Sequence, residues 1–210
     1  MEIEIVKKIE LTANQSQALA DLSQAVYPSM AATSIPTNSI QWAATTSSVL
    51  VWDKAGESVN PEANSPIVSH HDLRESSANK PSWYLHRKML VSHVGLLTRQ
   101  GTINDSPVLI GGIGGVKTHP TARRRGYARA GVDHAIKFLR TELAVDFSLL
   151  VCREEVVSYY ARLGWHHFTG DLLVDQLAGK TKFTFNQPMV LAGCNDVPAK
   201  GVIDLCGLPW

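Results

Sequence analysis

Hydrophobic positions near the start of the chain recur with a period of two: Ile3 and Ile5, then Ile9, alternate with Glu and Lys over residues 2–10, which predicts a half-exposed strand. Thr12 or Asn14 can cap a following helix, with Leu19, Leu22 and Val26 on one face and Pro28 as its stop. From about 29 to 80 the pattern lapses into Ser, Thr, Asn, Ala and Pro, broken by one apolar piece, Ser48–Trp52. A polar connection of that length reads as an insert or lid. Order resumes near Trp83. Val91–Leu97 and Val108–Val116 predict two strands joined by a turn at Asn104–Pro107. Val132, Ala135, Ile136, Leu139 and Leu143 fall at helical spacings, and Phe147–Cys152 is a short apolar strand. Val156–Leu163 is a short helix stopped by Gly164, Trp165–Phe168 another strand, and the apolar end Ile203–Trp210 is expected to dock. Together these predict an α/β fold, a mixed twisted sheet with helices on both sides, in one domain over residues 1–210 with a polar insert or lid at about 29–80.

Composition narrows the function. At 210 residues with 44% hydrophobic side chains, the chain can bury a sizeable core. A net charge of +1 gives no reason to expect nucleic acid or a membrane as partner, so any positive charge that matters is local. No stretch approaches the roughly 20 apolar residues of a membrane span, and the charged start lacks a signal peptide's apolar core. Cys152, Cys194 and Cys206 fit no metal spacing and are expected to be free, buried thiols in a reducing cytoplasm. A homodimer stays open.

The strand Val108–Val116 holds Gly111, Gly112, Gly114 and Gly115, although glycine weakens a strand. Such a run is expected where something approaches the backbone closely or where the strand bulges and splays. It leads into Arg123-Arg-Arg-Gly-Tyr-Ala128 at the start of a helix. Backbone N–H groups and the helix dipole there suit a diphosphate, with Arg123, Arg124, Arg125 and Arg129 adding charge, although a solvated basic turn would read the same way. The amides of a pantetheine arm could pair with an exposed edge at Val116, Lys117 and Thr118, where a strand N–H would also stabilise a thioester oxyanion. Tyr160 could protonate a departing thiolate; its alternative role, shared with Tyr159, is to anchor the helix.

Val116-Lys-Thr-His-Pro-x-x-Arg-x-x-Gly-x-Ala128 resembles the GNAT acetyltransferase motif in which a strand ends, followed by Q/R-x-x-G-x-G/A, and Ser158-Tyr-Tyr-Ala-Arg-Leu-Gly-Trp165 is similar to that family's F-Y-x-x-L-G-F segment. The resemblance covers roughly residues 108–168. It implies a mostly antiparallel GNAT-like sheet flanked by helices, acetyl-CoA as co-substrate, and N-acetyl transfer to an amine. Val116, Lys117 and Thr118 would then contact the acetyl and pantetheine groups. Arg123, Arg124, Arg125, Gly126, Tyr127, Ala128 and Arg129 would cradle the diphosphate, and Tyr160 would be the general acid. The asparagine often found before that tyrosine is replaced by Arg153 and Glu154. Within the superfamily the chain looks nearest to the aminoglycoside 2′-N-acetyltransferase type, with a small-molecule amine as acceptor. In that type an acidic base lies where this chain has Gly114, so no base carries over. The rival acceptor is a peptide or protein amine, and a rival of another class is a non-catalytic acyl-CoA-binding module.

Other motifs fall away. Gly111–Thr118 lacks the glycine before lysine that a nucleotide phosphate loop needs, and His119-Pro120 interrupts any following helix. The pairs His70-His71 and His166-His167 point to opposite faces of a strand, so no metal is expected. His93 and His119 fall near the glycine strand and read as structural or solvent-facing more readily than as bases. Trp42, Trp52 and Trp83 are candidates for cleft walls or packing. Glu57, Glu62, Asp72, Glu75, Asp204 and the Trp210 carboxylate are candidates to meet a cationic substrate.

Overall fold

A computed structural model of the chain describes residues 1–28, 40–54, 88–197 and 199–210. Two long antiparallel strands, β3 (Lys88–Ile103) and β4 (Ser106–Thr118), form the centre of one sheet. Asn104 and Asp105, at φ 47° and 65°, turn the chain between them, as a tight hairpin of right-handed twist demands. On one side of β3 lie β2 (Ser47–Lys54) and β1 (Glu2–Lys7), both antiparallel to their neighbours. On the other side of the hairpin β5 (Phe147–Cys152) runs parallel to β4, followed by β9 (Gln187–Ala192) and the two-residue β6 (His166–His167). The far end of β3 takes up β10 (Val202–Asp204), then β7 (Asp171–Gln176) and β8 (Gly179–Lys182). This is the expected mixed, mostly antiparallel α/β sheet.

Helices cover both faces. Helix α1 (Ala13–Val26) begins in a capping box between Thr12 and Gln15, which selects Thr12 over Asn14 as cap. Its Leu22 packs on Leu50 and Leu90. Helix α2 (Tyr127–Thr141) lays Val132, Ala135 and Leu139 over Val49, Val94, Leu96 and Ile113. Val49 and Leu50 alternate, so the two helices lie on opposite faces of the sheet. Each fully buried Leu or Val here contributes about 1.5–3 kcal/mol. Helix α3 (Glu154–Ala161) is closed by Gly164 at φ 88° and packs on β6 and β9. Among the described residues no helix is long and apolar enough to cross a membrane.

Several expectations need correction. The apolar piece Ser48–Trp52 is the body of β2, inside the sheet, and the parts 29–39 and 55–80 of the polar stretch lie outside the described residues, as does Trp83. The strand expected at Trp165–Phe168 shrinks to His166–His167, because Trp165 and Phe168 turn into the core on either side. All three cysteines are free as expected, but only Cys152 is buried; Cys194 and Cys206 are exposed. Strands β7 to β10 have no counterpart in the hydrophobic pattern.

The glycine run has a packing cause. A Cβ on Gly111 would stand 3.1 Å from Leu139 and Val145 beneath α2. On the opposite face, a Cβ on Gly112 would stand 2.7 Å from Trp210 Nε1, inside the indole. The indole lies flat on the strand, donates from Nε1 to the Leu149 carbonyl at 3.1 Å, and has the Arg99 guanidinium 5.4 Å above its centre. Gly112 and Leu149 are also the last paired rung between β4 and β5. Trp210 thus sits as a wedge where the two strands part, and glycine is required so that it fits.

That assignment predicts coupling. By denaturant unfolding, Gly112→Ala is expected to cost about 1–3 kcal/mol from overpacking, and Trp210→Ala about 3–5 kcal/mol. In the double variant most of the alanine penalty at 112 is expected to vanish, a coupling of about 1 kcal/mol or more; simple additivity would contradict the wedge.

Candidate functional site

Beyond the Gly112–Leu149 rung, β4 continues to Thr118 and β5 to Cys152 without pairing to each other. The V between them is a cavity of about 380 Å³, lined along one side by Gly114 to Thr118 and along the other by Leu150 to Arg153. Its far wall comes from α3, through Val156, Tyr159 and Tyr160, and from Ala128 at the start of α2. Of the residues singled out in the sequence, Val116, Lys117, Thr118, Ala128 and Tyr160 line this one space.

The turn before α2 is shaped for an anion. Arg124 at φ 62° and Gly126 at φ 84° are both left-handed, a backbone form that gathers successive N–H groups into a concavity. The helix starts at Gly126 with no side-chain cap, so its first amides keep their hydrogen-bonding capacity. A Cβ on Gly126 would meet nothing within 4 Å, so its own backbone angle rather than crowding by the chain calls for glycine there. The side chains divide. Arg123, Arg124, Arg125 and Arg129 are exposed, with Arg129 Nε 3.5 Å from Asp133 and Arg123 Nε donating to the Thr118 carbonyl at 3.4 Å. Tyr127 turns inward against Val51, Val91 and Ala122 and donates to Asp53, leaving only its main chain at the turn. Lys117 points to the other face, where Nζ donates to Ser23 Oγ of α1 at 2.7 Å; burial first, then the charge of Lys8, lowers its pKa.

Tyr160 is 7% exposed, set edge-on between Tyr159 (5.1 Å, 73°) and Trp165 (6.1 Å, 72°). Burial first, then Tyr159 and Cys152, raises its pKa, so the phenol keeps its proton throughout the physiological range. The same desolvation strengthens the basicity of a thiolate expelled beside it. The Tyr159 hydroxyl is buried without a hydrogen-bond partner among the described residues, an orphaned group on the wall of this cavity. Cys152, also on the wall, is pushed up to about 11 by burial and by Glu154, which leaves it an unreactive thiol. The open strand edge, the uncapped turn and the orphaned hydroxyl fit a ligand with amides at one end and a diphosphate at the other.

Both histidines near the strand prove structural. His119 caps the short turn Pro120–Ala122, accepting from Thr121 N. His93 lies under the bulge that Gly115 (φ 58°) makes in β4. The Gly115 carbonyl can only accept, so His93 Nδ1 donates to it at 3.0 Å, and Nε2 accepts from Ser48 Oγ at 3.1 Å. Burial lowers its pKa to about 4. His93 thereby pins the bulge that turns the β4 edge toward the cavity. Trp52 packs with α1 and donates to Glu4 at 2.7 Å, away from the cleft, and Asp204 is held by Lys180 and the Cys206 N–H. Glu57, Glu62, Asp72 and Glu75 lie outside the described residues. Asn186, on the wall of this cavity and of its neighbour, was missed; a lone asparagine in a polar loop carries no signal.

Residues 77–168 match the family model described as acetyltransferase (GNAT) domain. No sequence among the curated proteins matches the chain. Among solved structures, Escherichia coli ElaA is similar at 13% identity and a TM-score of 0.51, covering 90% of this chain and 97% of that one. An acyl-CoA N-acyltransferase from Pseudomonas aeruginosa is similar at 15% identity and 0.51, covering 91% and 99%. A GCN5-related N-acetyltransferase from Kribbella flavida reaches 22% identity with a TM-score of 0.35; the match covers 38% of this chain and spans 20% of that protein's length. Residues 77–168 are thus similar to the GNAT acetyltransferase domain over less than half of the chain, and the fold is the one shared with these acyltransferase-type structures.

The role of His93 predicts a pH dependence. Its folded pKa lies below the ordinary value near 6.5, so the unfolded chain binds the extra proton first, and stability present above pH 6.5 is lost as pH falls toward 4. Down to pH 4.5 this amounts to about 2–3 kcal/mol. Denaturant titrations at pH 7.5 and 4.5 are expected to show that extra loss in the native protein and not in His93→Gln; equal losses would exclude it.

Proposed function

We propose that the chain is an N-acetyltransferase that moves the acetyl group of acetyl-CoA directly to a small-molecule amine, with Tyr160 as general acid. What carries this reading is one continuous cavity that runs from the open β4 edge past Tyr160 and ends by the uncapped turn of α2. The pantetheine amides pair with the main chain of Val116 to Thr118 as an added strand would. The diphosphate rests on the amides from Arg124 to Ala128, with the exposed side chains of Arg123, Arg124, Arg125 and Arg129 supplying charge.

In the reaction the lone pair of the neutral amine attacks the thioester carbonyl carbon and forms the C–N bond. The carbonyl oxygen takes up negative charge against a main-chain N–H of the β4 bulge, which His93 holds in place. Collapse breaks the C–S bond, the Tyr160 proton goes to sulfur, and the surplus proton of the nitrogen leaves to water. Gly114 has no side chain to serve as base, and the backbone carboxyl carbon of Trp210, the last residue, would stand 3.4 Å from a Cβ there. Aminoglycosides are polycationic members of the amine class suggested by the resemblance. Three free cysteines accord with a reducing cytoplasm as its location.

Tyr160→Phe is expected to lower kcat about 100-fold or more while the Kd for acetyl-CoA, read by calorimetry, changes less than about threefold. Tyr159→Phe should weaken binding more than it slows turnover. Full kcat in Tyr160→Phe would remove the general acid, and unchanged binding with no amine acetylated by the native protein would favour a non-catalytic acyl-CoA-binding module.

A further inference from the structure

The four residues of the turn before α2, Arg123 to Gly126, are all exposed, and two of them hold left-handed angles. At Arg124, φ 62°, that form costs free energy and persists only where the surroundings impose it. The anchors stand on either side of the turn. Ala122 and Tyr127 are both buried and share one small core cluster with Val51 of β2 and Val91 of β3. Ala122 has only a methyl group to fix its place. Tyr127 has its ring in the cluster and a hydroxyl at its rim, which donates to Asp53 near the end of β2. Among the described residues no side chain caps α2, so the direction of its first amides is set through Tyr127, the first residue of the helix.

Asp53 is placed to hold that hydroxyl. Its carboxylate is 21% exposed, with Oδ1 3.3 Å from the Met1 amine and Oδ2 4.0 Å from Arg125, whose guanidinium lies 5.3 Å from the Tyr127 ring centre. The hydrogen bond first, then burial, raises the pKa of the Tyr127 phenol, so it stays a donor throughout the physiological range. Neither Asp53 nor Tyr127 is among the described residues that line the cavity, so neither side chain is placed to touch a ligand there. The sign of the charge then separates two roles. A carboxylate beside an anion site repels the anion, whereas an acceptor that holds Tyr127 steadies the amides that receive it. Substitution distinguishes the two, because loss of the charge alone favours the anion and loss of the acceptor disfavours it.

Resting on the acetyl-transfer reading above, we propose that Asp53 is a positioning residue for the diphosphate of the co-substrate. By accepting the hydrogen bond from Tyr127 it fixes the start of α2, and with it the left-handed turn whose amides take that group. Asp53 acts through Tyr127 and across the sheet, from a strand 74 residues away in sequence. Its value lies in the acceptor oxygen, and its charge is a cost that the turn carries.

The test measures, on the full chain, the Kd of CoA by calorimetry and that of pantetheine, which lacks the diphosphate, by competition against CoA. The native protein is expected to bind CoA about 100-fold or more tighter than pantetheine. Asp53→Ala and Tyr127→Phe are each expected to cut that ratio about tenfold or more, through CoA and not through pantetheine. The double variant is expected to match the larger single effect within about twofold, since both changes break one bond. Asp53→Asn keeps an acceptor oxygen without the charge, so its ratio is expected to stay within about threefold of native or to rise. Each variant is first shown folded by thermal melt; should Asp53→Ala not fold, Tyr127→Phe, which keeps the ring in its cluster, carries the test. A native ratio in Tyr127→Phe, a ratio that rises in Asp53→Ala, or an asparagine variant that falls as far as alanine would overturn the positioning role and leave the co-substrate reading standing. Failure of the native protein to bind CoA would instead overturn the reading on which it rests.

Discussion

Two neighbouring parallel strands that stop pairing in the middle of a sheet leave main-chain donors and acceptors without their ordinary partners, and everything else in this molecule is arranged around that opening. β4 and β5 share only the rungs Ile110–Phe147, Gly111–Ser148 and Gly112–Leu149 before they diverge. An unpaired polar backbone is tolerated where water or a ligand completes it. Here the parting is built in from both faces. The Trp210 indole fills the fork on one side and takes the Leu149 carbonyl, while Gly115 bulges the strand and His93 ties down its carbonyl. A rigid, hydrogen-bonded frame thus presents a strand edge with room for an amide-bearing arm.

Electrostatics sort the two ends of that opening. At the α2 turn, left-handed residues and uncapped amides provide positive potential from the main chain, and the exposed arginines add charge to the anion site proposed there. Deep in the V, burial keeps Tyr160 protonated and Cys152 unreactive. One desolvated environment therefore keeps a phenol protonated, as the proposed general acid requires, and leaves a neighbouring thiol unreactive.

Much of this was legible in the residue order. The hairpin, β5, α2 and α3 follow from hydrophobic period and turn chemistry, while the proposed site residues Arg123–Ala128 and Tyr160 were picked out by motif and spacing. The glycine run was rightly taken as a mark of close approach, but the approaching groups include the chain's own Trp210 and Leu139, about 100 and 30 residues away in sequence, which no local pattern encodes. The same limit hid β2 within a polar stretch and left β7 to β10 unseen. β7 and β8 are short and polar on one side, and β10 pairs with β3 across the fold. Asn186 reaches the site only through tertiary folding, so spacing could not single it out. Tyr127 is divided: its main chain lies at the turn where its motif position puts it, while its ring is a core residue held by Asp53, which motif spacing does not reveal.

The central claim is that the free edge of β4 receives the ligand's amides, and amide hydrogen exchange with and without CoA tests it most directly. Protection is expected to rise at Val116 to Thr118 and at Gly126 to Ala128, with little change in β1, β7 or β8. Saturating CoA that leaves exchange along Val116 to Thr118 unaltered, or that protects some other edge of the sheet, would contradict the account.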